Sequence, residues 1–170
     1  MGQYYKAVLV DKDNKIKFVV PIHHDNGSKL MEHSYVLNDM MQGIENILTE
    51  PHKVVWAGDY SDIVDQGDSL YNICDNYPDR EIKELIPIPY RYIINHTKKI
   101  YIDKMDDDNP DSDWRIHPLS LLTAEGNGQG GGDYFSDLNQ DKVGTWARNL
   151  IQCSDEKPID YQKVKIIFRE

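Results

Sequence analysis

The feature that most restricts this chain's fold is one helical stripe set among apolar runs that are short and strand-like. Val36, Leu37, Met40, Met41, Ile44, Ile47 and Leu48 recur at helical spacing and build a single apolar face. Ser34 stands at the N-cap position and Pro51 bars continuation, so the pattern predicts one principal amphipathic helix over about 34–49. Residues 4–10 and 16–20 read as two strands joined by the polar turn Asp11-Lys12-Asp13-Asn14, a β-hairpin. Residues 53–56 read as a buried strand. Residues 90–95 and 99–103 form a second hairpin around His96-Thr97-Lys98. Ser69–Cys74 and Leu119–Thr123 predict short helices, and residues 146–152 and 162–168 supply two late elements, with Val164–Phe168 the more strand-like. The expected fold is α+β, a mainly antiparallel sheet with one principal helix and shorter ones, in a single domain over 1–170.

Composition narrows the function classes. Hydrophobic residues make up 39% of the chain, enough for a packed core. The formal net charge is −10 and no long basic run occurs, which argues against binding along a nucleic-acid backbone and leaves solubility or a basic protein partner as the use of the charge. No apolar run approaches membrane-spanning length, and no apolar signal region opens the chain, so a cytoplasmic setting is expected. Cys74 and Cys153 have neither zinc-like spacing nor a nucleophile context and are expected to be reduced, buried thiols. The eleven tyrosines suit strand packing and partly wet pockets.

Three local patterns bear on chemistry. In Glu125–Tyr134 five of ten residues are glycine: Gly126, Gly128, Gly130, Gly131 and Gly132. Successive amides in such a loop form an anion-binding nest, although the Lys-Ser/Thr pair of a P-loop and the frame of a dinucleotide fingerprint are both missing. The triplet Gly58-Asp59-Tyr60 recurs as Gly132-Asp133-Tyr134, each near a tryptophan, Trp56 or Trp146. His23, His24, Asp25, Glu32 and His33 crowd one segment without any metallohydrolase spacing, so a polar loop entering a helix is the plainer reading. The acidic run Asp106–Asp113 lacks the glycine and closing glutamate of a calcium loop. No cofactor or metal site is expected.

Four blocks, Gly2-Gln-Tyr-Tyr-Lys6, Lys29-Leu-Met-Glu-His-Ser34, Val55-Trp-Ala-Gly-Asp-Tyr60 and the stretch from Leu122 to Tyr134, resemble a family of uncharacterised proteins of bacteriophages and bacteria. The resemblance implies a phage protein acting in the host bacterial cytosol and carries no activity with it. In that setting the expected function is sequestration of a small anionic, nucleotide-like ligand, such as an immune second messenger. Gly126, Asn127, Gly128, Gly130, Gly131 and Gly132 would donate amides, Asp59 and Asp133 would fix polar edges, and Trp56, Tyr60 and Tyr134 would stack. Lys29 and His33 would flank the site, and Lys29, Arg91, Lys98, Lys99 and Arg148 are the candidate positive patch. Two alternatives stand beside it: an acidic protein-interaction module inhibiting a host factor, and a hydrolase using His24, Asp25 and His33 with Asp59. A homodimer is the expected symmetric state.

Overall fold

The computed structural model describes residues 2–20, 27–61, 67–131 and 133–168. His23, His24, Asp25 and Gly132 lie outside the described residues. Strands β1 (Tyr5–Val10) and β2 (Ile16–Val19) form the first hairpin. Its turn is held by the Asp11 carboxylate, which accepts the amides of Asp13 and Lys15 at 2.8 and 3.0 Å. Asn14 takes the left-handed conformation there, φ 61°, one that asparagine tolerates. Helices α1 (Leu30–His33) and α2 (Asp39–Ile47) lead to β3 (His52–Gly58). Then come α3 (Leu70–Ile73), the hairpin of β4 (Tyr92–Asn95) and β5 (Ile100–Asp103), and α4 (Pro118–Thr123). The short β6 (Ala124–Glu125), β7 (Leu150–Ser154) and β8 (Gln162–Lys163) complete the sheet.

The strand order is β2-β1-β3-β7-β4-β5-β8, with β6 running parallel beside the upper part of β3. Only the β3–β6 and β5–β8 pairs are parallel among the described residues, so the fold is the mainly antiparallel α+β sheet that the sequence predicts. Alternation along the strands splits the core. Tyr5, Ala7, Leu9, Val54 and Trp56 face α2 and α4, while Val8, Val10, Val55 and Ala57 face α3. Among the described residues no helix is long and apolar enough to cross a membrane.

Two expectations are corrected. The main helix begins at Asp39, not near residue 34. Asn38 is the N-cap, its Oδ1 accepting the Met40 and Met41 amides at 2.9 and 3.2 Å. The preceding residues are held extended instead: Tyr35 bridges to Ile116, and the Val36 amide donates to the Arg115 carbonyl at 2.8 Å. Apolar spacing at Val36 and Leu37 thus continued a helical pattern into a segment that Asn38 cuts off. Secondly, Val164–Phe168 does not form a strand. Ile166 and Phe168 are buried and Ile167 is exposed, a strand-like alternation, but the Asn139 carboxamide takes the place of a neighbouring strand. It accepts the Ile167 amide at 3.0 Å and donates to the Ile167 carbonyl at 2.7 Å.

Candidate functional site

The four sequence blocks converge at one end of the sheet, around the chain's own N-terminal segment. Gly2 bridges to Gly131, and the Gln3 amide donates to the Gly131 carbonyl at 2.5 Å. On the other side, the Tyr4 amide donates to Asp59 Oδ1 at 3.0 Å and the Asp59 amide returns a bond to the Tyr4 carbonyl at 2.9 Å. The segments that carry Asp59 and Asp133 therefore flank one element, residues 2–5. Glycine is required where they close on it. A Cβ at Gly126 would stand 2.8 Å from Gln3 Nε2 and from Ser61, and one at Gly58 would overlap the Gln3 carboxamide.

The glycine loop does form an amide nest, and its anion is Asp133. The amides of Gly128, Gln129 and Gly130 donate to Asp133 Oδ2 at 2.7, 2.9 and 3.0 Å. The other carboxylate oxygen accepts the Tyr5 hydroxyl at 2.5 Å. Burial, then the hydrogen bond and charge of Asp133, push the Tyr5 phenol far above its ordinary range, so it remains a donor. Asn127 braces the loop: its Oδ1 accepts the Tyr134 amide at 2.8 Å and its Nδ2 donates to the Tyr134 carbonyl at 3.1 Å.

The remaining predicted residues divide between core and rim. Trp56, Asp133 and Tyr134 are buried, so their rings and carboxylate serve the interior; Tyr60 stays 38% exposed and Asp59, Asn127, Lys29 and His33 are half-buried. His33 Nδ1 accepts the Lys29 amide at 3.0 Å. Most of the cations considered for an anionic ligand are engaged within the chain, Lys29 with Glu32, Arg91 with Asp103, and Arg148 with Glu125 through two bonds, while Lys99 is exposed. Lys98 Nζ donates to the Thr145 carbonyl at 2.6 Å. Gln3 stands out. Its carboxamide is fully buried, and neither its oxygen nor its nitrogen has a hydrogen-bond partner among the described residues.

Two assemblies escaped the sequence reading. The first is a buried charge cluster under α2. Glu45 accepts from Lys104 Nζ and, at 3.2 Å, from His117 Nε2 on the same oxygen. His117 Nδ1 accepts the Leu119 amide at 3.0 Å and caps α4, which leaves the imidazole proton on Nε2, facing Glu45. Burial pushes the Glu45 carboxyl up, but the His117 bond and the Lys104 charge outweigh it and hold it below its ordinary range. Burial, aided by the Lys104 and Arg115 charges, holds His117 below its own. Cys153 and Cys74 are free and buried; burial pushes both thiols up, Cys74 to about 12, so both stay protonated and inert. Among the described residues no group of three or more His, Cys, Asp or Glu is placed to hold a metal ion.

The second assembly is on the surface. Trp114 ends the acidic run and is 72% exposed, meeting Tyr35 edge-on with ring centroids 5.3 Å apart. The loop under it is anchored. Arg115 is buried, donates to the Lys104 carbonyl at 2.5 Å and lies 3.7 Å from Asp107. Asp106 pairs with Lys163 at 2.8 Å, while Asp108, Asp111 and Asp113 are exposed. Met105, at the other end of the run, is 52% exposed. A tryptophan directly following a run of aspartates is the one local sign that this ring faces water. Comparison of the chain with protein-family models, curated proteins and solved structures finds no match.

Proposed function

We propose that the chain is a protein-interaction module that docks a basic partner on the loop spanning Met105 to Trp114. The observation that carries this reading is Trp114: a large aromatic ring, mostly in water, on an anchored base and bordered by exposed aspartates. Tryptophan and tyrosine dominate the energetic centres of interfaces, and an anchor that is already held loses little entropy on binding. A chain of net charge −10 also steers a cationic partner toward such a loop. In the phage or bacterial setting that the resemblance implies, a host factor is the natural partner. Parallel pull-downs from a bacterial host lysate, with wild type and Trp114→Ala, test this once the retained protein is identified and purified. Its affinity should fall at least about tenfold in Trp114→Ala, about 1.4 kcal/mol. It should also weaken with salt and with Asp108→Asn, Asp111→Asn and Asp113→Asn together. A partner indifferent to both the ring and ionic strength would refute the reading.

A second reading, a small nucleotide-like ligand at the glycine loop, is favoured by the buried Gln3 carboxamide, which has no hydrogen-bond partner among the described residues. An anionic ligand there has to displace the Asp133 carboxylate from the nest. A thermal-shift screen against cyclic nucleotides and ADP-ribose derivatives decides it. A true ligand at a hundredfold excess over Kd stabilises the fold by about 2.7 kcal/mol. A flat screen at concentrations that saturate a micromolar binder removes this reading.

A further inference from the structure

The turn between β4 and β5 holds a hydrogen-bond relay whose direction is fixed. Gln152, on β7, donates through Nε2 to the Thr49 carbonyl at 2.9 Å. A carbonyl only accepts, so this bond sets the amide's orientation and turns Oε1 toward His96 Nε2, 2.7 Å away. That oxygen also only accepts, so in the neutral imidazole Nε2 carries the proton. Nδ1 is then a bare lone pair, 2.9 Å from the Tyr161 hydroxyl, which has to donate to it. The two rings meet edge-on with centroids 5.6 Å apart. The His96 backbone is held by its amide bond to the Leu150 carbonyl at 2.9 Å, and both His96 and Tyr161 are half-buried. A hydroxyl on a base that a third group orients is the arrangement that activates a nucleophile.

We propose that Tyr161 is an activated phenol that attacks phosphoryl esters, with His96 as its general base. In the step, Tyr161 Oη forms a bond to phosphorus and the bond from phosphorus to the ester's leaving oxygen breaks. The leaving group departs with the electron pair. The phenol proton passes to His96 Nδ1, and Gln152 Oε1 stabilises the imidazolium so formed. Exposed Lys98 and Lys99 lie on the same turn, and the Lys99 carbonyl accepts the Gln162 amide at 3.1 Å, which sets that turn beside Tyr161. Lys99 supplies positive charge for phosphoryl oxygens in an otherwise acidic chain. This inference is independent of the docking surface.

The probe is diethyl p-nitrophenyl phosphate, an activated phosphotriester, incubated with the full chain. Nitrophenolate release gives the rate and tandem mass spectrometry gives the labelled residue. The label should fall on Tyr161 well before the exposed Tyr60 and vanish in Tyr161→Phe. His96→Asn should slow it about 10²-fold, the usual loss when a general base is removed. Gln152→Leu, which frees the imidazole to change tautomer, should slow it about tenfold, and Gln152→Glu should restore it. Circular dichroism confirms that each variant is folded. Labelling of Tyr161 no faster than Tyr60 in the wild type would overturn the proposal, and so would a folded His96→Asn that reacts within about twofold of it.

Discussion

Asp133→Ala is expected to remove about 3–5 kcal/mol of folding stability, a large part of what a domain of this size possesses. The substitution takes away the acceptor for four donors at once, three loop amides and the Tyr5 hydroxyl. The costs do not simply add. Gly128 and Gln129 are exposed, so their amides regain water, whereas Tyr5 is fully buried and its hydroxyl has no such recourse. A melting temperature lower by about 10 °C or more should follow. Tyr5→Phe keeps the three amide bonds and removes one charged hydrogen bond, for a loss of about 2 kcal/mol. Thermal melts of both variants measure the difference. If Asp133→Ala melts within about 2 °C of wild type, the nest does not hold the N-terminal segment.

Lys104→Met should be comparably severe, again about 3–5 kcal/mol near neutral pH, because it strands the Glu45 carboxylate in the core with only His117 beside it. The pH dependence separates this from a simple packing defect. In the wild type His117 and Glu45 both have folded pKa values below their ordinary ones. The unfolded chain therefore binds protons that the fold refuses, and stability is full above pH 6.5. It declines on acidification, first as unfolded His117 takes up its proton near 6.5, then further below 4.5 through Glu45. In Lys104→Met the stranded carboxyl gains by protonation, so the gap to wild type should narrow as pH falls. Denaturant titrations from pH 7 to 4 measure it. A constant gap across that range would leave packing, rather than charge, as the cause.

The legible parts of this fold are the local ones. Both hairpins, the short helices near Leu70 and Pro118, and the amide nest were readable because turn residues, caps and successive glycines act within a few positions. The nest's anion lay within the same short motif. Asp133 follows the amides it accepts by three to five residues, the local reach at which aspartate competes for backbone donors, yet a loop rich in glycine reads first as a place for a guest. Glu45 carries no local sign of its role because its partners, Lys104 and His117, come 59 and 72 residues later. Tyr161 and Gln152 stand 65 and 56 residues from His96, so no spacing rule links them. The helix start was misread for the opposite reason. Val36 and Leu37 kept a local period that tertiary pairing with Arg115 and Ile116 overrode.

The clasp on residues 2–5 also sets a timetable. Tyr5 and Asp133 are 128 positions apart, so during synthesis the first strand's outer end waits until Asp133 has left the ribosome before its lock exists. Late closure of so long a loop predicts slow maturation and a nascent state whose residues 2–5 are open to proteases and chaperones until Asp133 has emerged.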